Sequence, residues 1–157
     1  LQNLREYATT QADVHPHPGT MPVNNFVALE KSTSLILEEG LPTTWSRHTQ
    51  IARVVRDGIR SMGLKVMANE KAACANLTVI LAEDWFNPVA VSEFMKAEYG
   101  MHIGLGLGDY VNQSIRIGHM GTNAALEAVI PFLVGLEQYL RQQGHSIKRG
   151  ACLAGLE

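Results

Sequence analysis

Apolar residues return every three or four positions in two long stretches near the start of the chain and in one near its end. Between them lie shorter apolar runs broken by glycine and proline. From about Val23 to Glu39 the helical face is Phe26, Leu29, Thr33, Ile36 and Leu37, with Gly40 as its C-cap. A second helix follows Pro42. Its face is His48, Ile51, Ala52, Val55, Ile59 and Met62, with Arg47, Arg53, Arg56 and Arg60 largely elsewhere, and Gly63 ends it. Residues 64–67 and 77–81 read as short strands, the second an apolar run suited to a covered sheet.

Asn87-Pro88 opens another helix, a capping side chain followed by proline in the first turn. That helix runs to about Glu98, and Gly100 breaks it. Residues 101–104 and 114–118 are two more strands. Thr122 or Asn123 caps a last helix over about 124–143, with Leu126, Val129, Ile130, Leu133, Val134 and Leu140 as its buried stripe. Pro131 inside it predicts a bend. The first twenty or so residues, broken by His15-Pro16-His17-Pro18-Gly19, read as an extended connection. The tail from Lys148 is expected to fray. Two long helices, then strands and helices in mixed order, give an α+β layer with helices over one face of a small sheet.

The 114–118 run, Ser-Ile-Arg-Ile-Gly, poses the sharpest chemical question. Alternation sends Ile115 and Ile117 to one side of a strand and Arg116 to the other. A guanidinium there reaches water, pairs with a carboxylate of the chain, or awaits an anion. Buried alone it would cost several kcal/mol. The residues themselves leave a structural ion pair and an anion site on equal footing.

Composition narrows the field. The chain has 157 residues, 46% apolar and 18% charged, with a formal net charge of −2. That is one ordinary domain's length, enough to bury a core. The charge balance gives no reason to expect a nucleic-acid or membrane partner. No apolar run approaches the roughly 20 residues that span a bilayer. Cys74 and Cys152 lie far apart and form no metal-binding spacing, so a reducing compartment, the cytoplasm by default, is expected. The chain starts Leu1-Gln2-Asn3, with no initiator methionine and no signal-peptide pattern, and reads as the back half of something longer.

The other motifs carry less. Gly104-Leu105-Gly106-Leu107-Gly108 is G-x-G-x-G, not G-x-G-x-x-G, and the following Asp109-Tyr110-Val111-Asn112 does not look helical, so a flexible loop is favoured over a nucleotide site. His15 and His17 alternate with prolines but lack the further ligands a zinc site needs. His48, His102 and His119 sit on periodic segments and read as structural. Nothing supplies a nucleophile or a general base.

Three stretches, GTMPVNNFVALEKS, LILEEGLPTTWSRHTQIARVVRDGIRSMGL and IRIGHMGTNAALEAVIPFLVGLE, resemble the C-terminal portion of class V pyridoxal-phosphate aminotransferases. The alanine–glyoxylate and serine–pyruvate type is most similar, and the resemblance spans roughly residues 17–140. It implies the small C-terminal domain of a fold-type I enzyme, a short, mostly antiparallel sheet covered by helices after a long linking helix. The implied organisation is an extended linker over 1–22 from a missing large domain, the small domain with its linking helix over 23–147, and a tail over 148–157.

The resemblance implies pyridoxal 5'-phosphate as cofactor, small amino-acid and 2-oxo-acid substrates, and a homodimer, with peroxisome or mitochondrion as eukaryotic alternatives to the cytoplasm. It gives Arg116 the substrate α-carboxylate, for which a planar, doubly donating fork is suited. It gives Thr20 a place on the cofactor phosphate of the neighbouring subunit. His17 stands there where the family often has a tyrosine. Leu107 stands where pyridoxamine-directed members can carry a second arginine, which favours an ordinary pair such as alanine and glyoxylate. The family's Schiff-base lysine, pyridine-nitrogen aspartate and stacked aromatic all belong upstream. None of Lys31, Lys65, Lys71, Lys96 and Lys148 has the Ser-x-x-Lys context, so catalytic residues are expected outside this chain and the isolated chain is expected to be inactive. The alternative is a non-enzymatic dimerisation or partner-binding module on the same fold.

Overall fold

A computed structural model describes residues 2–10 and 20–156. The chain divides into two compact units, Leu1–Leu41 and Pro42–Glu157. In the first, α1 (Gln2–Thr10) occupies part of the stretch expected to be extended. The prolines behind that expectation are Pro16 and Pro18, which restrict only themselves and the residues just before them. Residues 2–10 are therefore free to coil, and the Thr10 hydroxyl donates back to the Glu6 carbonyl at 2.8 Å. Helix α2 (Val23–Glu39) follows the expected boundaries. Gly40, at φ 84°, ends it in a conformation that favours glycine, and its N–H donates to the Ile36 carbonyl. No residue of α2 is buried, and Val23, Phe26, Val27, Leu29 and Leu37 are all exposed.

The second unit is built on a three-stranded antiparallel sheet in the order β1-β3-β2, from β1 (Leu77–Leu81), β2 (Gly104–Leu105) and β3 (Ser114–Gly118). Ile80 faces Ile115, Thr78 faces Ile117 and Val79 faces Arg116 across β1 and β3. Ile80, Ile115 and Ile117 are buried together on one side. Two expected strands shrink. Residues 64–67 reduce to a single bridge between Val66 and Ile80. The 101–104 run moves to 104–105 because the Met101 N–H donates to the Met95 carbonyl and finishes the preceding helix.

Three helices bury their apolar faces with the sheet. Helix α3 (Leu41–Ser61) contributes Ile51, Val54, Val55 and Ile59. Helix α4 (Pro88–Tyr99) contributes Val91 and Met95; its cap is Asn87, whose side-chain oxygen accepts from the N–H groups of Val89 and Ala90. Helix α5 (Leu126–Gln142) runs through Pro131. Its buried stripe is Val129, Phe132, Leu133, Leu136 and Leu140, while Leu126 and Val134 of the expected stripe are exposed. The face turns because α4 and α5 meet at Gly135, where an added Cβ would lie 2.9 Å from the Met95 sulfur. Neither Thr122 nor Asn123 caps this helix. Residues Gly121–Asn123 form a 3-10 turn, and the cap position is Ala125.

Two charged groups lie within the core, one of them, Arg56, expected off the apolar face of its helix. Arg56 is buried, with Nε donating to Glu70 Oε1 at 3.0 Å and Nη1 to the Cys74 carbonyl at 3.4 Å. Glu137 is also buried, and it accounts for the tail. Residues Ala151–Leu156 coil as a 3-10 helix rather than fraying, since the amides of Gly150 and Cys152 donate to the two carboxylate oxygens of Glu137 at 2.9 and 3.0 Å. The Cys152 thiol is buried beneath, its pKa pushed up to about 12 chiefly by that burial.

Candidate functional site

β3 carries different chemistry on its two sides. Its isoleucines anchor it in the core, and Arg116 stands opposite them, half-buried. The Arg116 side chain shares its side of the sheet with Val79 of β1 and Gly104 of β2, its direct cross-strand neighbours. Its Nε donates to the Leu105 carbonyl at 2.8 Å. Among the described residues no carboxylate forms an ion pair with it, whereas Arg53, Arg56, Arg60 and Lys65 pair with Asp57, Glu70 and Glu83.

Beside Arg116 is a cavity of about 340 Å3, within the size range of small-molecule sites. His102 and Asn123 add polar groups to its wall, and Ile103, Val129 and Phe132 add apolar surface. One fixed cation over a mixed floor suits a small organic anion with a short apolar or polar remainder. A larger cavity, about 750 Å3, lies between residues 82–90 and the end of α5. Its wall holds Glu83 and Asp84 and a Trp85 ring packed on His145 at 4.7 Å, so it presents acids and no arginine or lysine to an incoming anion.

The segment leaving β3 is fastened at both ends. His119 is fully buried, its Nε2 2.8 Å from the Thr78 hydroxyl. Burial holds this imidazole below its ordinary pKa, and the neighbouring Arg56 and His48 push the same way against raising backbone hydrogen bonds. Further on, Arg47 Nη1 donates to the carbonyls of Gly121 and Ala124 at 2.8 and 2.9 Å. His48 Nδ1 lies 2.7 Å from the Thr44 carbonyl, so it carries the proton and leaves the Nε2 lone pair to accept from the Gly121 amide.

Of the residues singled out from the sequence, Arg116 lies in the second unit and Thr20, exposed, in the first. His17 lies outside the described residues. Leu107 is exposed and does not line the Arg116 cavity. None of the five lysines lines that cavity, and Lys65 is paired with Glu83. Among the described residues no group of three or more His, Cys, Asp or Glu is placed to hold a metal ion, and no helix is long and apolar enough to cross a membrane.

His102, Asn123, Gly104 and the Leu105 carbonyl were not singled out for the Arg116 site from the sequence. The strand that brings Gly104 and Leu105 against Arg116 begins three residues later than the apolar pattern put it, Asn123 comes from the turn after β3, and the pattern holds no signal for a backbone carbonyl.

This arrangement defines a small α+β domain whose sheet carries Arg116 beside a cavity. No family model matches the chain. It is 30% identical over 136 residues to the pyridoxamine–pyruvate transaminase of Mesorhizobium japonicum, covering 86% of this chain and 35% of that protein. It is 29% identical over 154 residues to the (S)-ureidoglycine–glyoxylate transaminase of Bacillus subtilis, covering 98% and 36%. The solved ureidoglycine–glyoxylate aminotransferase from Bacillus subtilis matches 99% of this chain and 40% of its own, with a TM-score of 0.81 at 26% identity. The pyridoxamine–pyruvate aminotransferase from Mesorhizobium loti matches 91% and 37%, with a TM-score of 0.82 at 30% identity. The chain thus spans about a third of the length of the curated relatives it matches. Its curated relatives and structural neighbours are class V-type aminotransferases, and its small helix-covered antiparallel sheet matches 37–40% of those neighbours' chains, as one of their domains would.

Proposed function

We propose that this chain is the acid-gripping portion of a pyridoxal 5'-phosphate-dependent transaminase. The complete protein would pass an amino group between a small amino acid and a 2-oxo acid, with alanine or serine and glyoxylate or pyruvate as the favoured pairs. The observation that carries this is Arg116: a half-buried guanidinium beside a cavity, with no carboxylate partner among the described residues. Both substrates of such a reaction are carboxylic acids. One planar cation can hold each in turn through two parallel charged hydrogen bonds. The apolar wall of Ile103, Val129 and Phe132 excludes water from one side of that contact, which strengthens it. The electron sink would come from the cofactor, held by residues outside this chain, with Thr20 reaching its phosphate in a neighbouring subunit.

Arg116→Lys in the complete protein tests the reading. A point charge then replaces a fork, so KM for both acids rises and kcat falls. Unchanged kinetics would remove Arg116 from the substrate site. The 157-residue chain mixed with pyridoxal 5'-phosphate and reduced with borohydride is expected to retain no stoichiometric label. A stoichiometric label would overturn the placement of the cofactor lysine elsewhere.

The exposed apolar residues of α2 favour a second reading, in which the fold serves as a self-pairing module. Sedimentation of the 157-residue chain tests the module: a stable dimer is expected if α2 pairs with a second copy, and a monomer removes that reading.

A further inference from the structure

Gly104 is an unusual residue to find opposite Arg116. Glycine weakens a strand, and inside one it often marks a close approach of something else. Here the approaching group is the arginine. A Cβ built on Gly104 would lie 3.4 Å from Arg116 Nη2, 3.6 Å from the Arg116 carbonyl oxygen and 3.7 Å from Arg116 Cβ. The arginine therefore folds back over β2 instead of standing upright from the sheet. Its Nε is caught by the Leu105 carbonyl at 2.8 Å, one residue along the same strand.

We propose that Gly104 is a positioning residue for Arg116. It leaves open the surface on which the guanidinium lies, so that the Leu105 carbonyl can hold Nε and the terminal Nη1/Nη2 edge is the one offered to the acid. This rests on the reading of Arg116 as the acid-holding residue and adds to it the direction of approach. With Nε occupied, a carboxylate meets the end of the fork, not its side.

The distances separate two substitutions. At 3.4–3.7 Å a single added methyl makes ordinary contact, so Gly104→Ala leaves the arginine in place. A β-branched side chain sends two further carbons past Cβ into the space of Nη2, and Gly104→Val must lift the guanidinium and break the bond to Leu105. Valine is also the better strand residue. A purely structural glycine would yield a variant with altered stability and unaltered acid binding. The positioning role predicts the reverse, a β2 that is as stable or more so and an arginine that no longer grips.

The test has two arms. In the 157-residue chain, the Arg116 Nε–H resonance, assigned by its loss in Arg116→Lys, is expected to be protected from solvent exchange. It should stay protected in Gly104→Ala and lose protection in Gly104→Val. In the complete protein, Gly104→Val should raise KM for both acids at least tenfold, with Gly104→Ala close to the unsubstituted protein. If Arg116→Lys leaves KM unchanged, the reading of Arg116 itself fails. If Arg116→Lys raises KM while Gly104→Val alters neither the resonance nor KM, Arg116 stands and the role of Gly104 is overturned. Should Gly104→Val not fold, the unsubstituted chain decides: a freely exchanging Nε–H overturns the proposal, and a protected one that survives in Gly104→Ala supports it.

Discussion

The imidazole of His48 accepts a hydrogen bond from the Gly121 amide at 3.0 Å, joining residues 73 positions apart. It fastens the start of α3 to the turn that follows β3, and Arg47 reinforces it from the next position. His48→Ala removes the acceptor and leaves that amide to water. The expected loss is about 0.5–1.5 kcal/mol, the net worth of one such bond. Urea denaturation of the 157-residue chain measures it, and an unchanged midpoint would show that the contact contributes nothing.

Glu137 offers two oxygens to two amides, those of Gly150 and Cys152. Glu137→Gln keeps the shape but turns one acceptor into a donor facing an N–H. The cost should be about 1–3 kcal/mol for a buried group left unpaired. Burial raises this carboxyl's pKa, and the two amide hydrogen bonds outweigh it, so the folded value lies below the ordinary 4.5. The contribution is therefore complete above 4.5 and is lost as pH falls through the lowered folded value. Denaturation midpoints of the two proteins across the acid range should converge toward low pH, and parallel curves would contradict this.

His119 acts at higher pH. Its folded pKa is lowered from 6.5, chiefly by burial, so on acidification the unfolded chain takes up a proton that the folded chain refuses. Stability is full above 6.5 and declines as pH falls from there toward the folded value. In His119→Gln that part of the slope should vanish, although the variant starts from lower stability. A slope in the variant equal to that of the original chain would assign the proton uptake to another group.

Gly58 on α3 touches the tail directly: an added Cβ would sit 2.3 Å from the Cys152 carbonyl oxygen and 3.2 Å from a Leu133 methyl carbon. Backbone cannot step aside as a side-chain end can. Gly58→Ala should cost about 1–3 kcal/mol by overpacking, despite alanine's better helix propensity. Thermal unfolding reads this as a lower Tm, and a higher Tm would mean that the tail is free to move.

How far these features could be read from the linear chain follows from their range. α2, α3 and α4 were legible because their signals are local: apolar spacing, Asn87-Pro88 and the closing glycines. Arg116 was legible for the same reason, since two isoleucines fix which way it points. Arg56 was misjudged because its partners, Glu70 and the Cys74 carbonyl, come from a connection with no periodic pattern. The tail was misjudged because Glu137, an acid on an otherwise apolar face, gives no hint that it bonds amides more than ten residues later. The stripe of α5 turned because Gly135 admits Met95 closely, and one helix's sequence does not record its neighbour.

Because β3 is bordered by a strand on each edge, moving it by one position would sink the arginine into oil and bring two isoleucines out into solvent. The direction of that one cation is thus guarded by the same forces that keep the domain folded. Residues around the cavity, such as His102 and Asn123, lie outside this constraint. The cavity wall can therefore change there while the scaffold stays untouched.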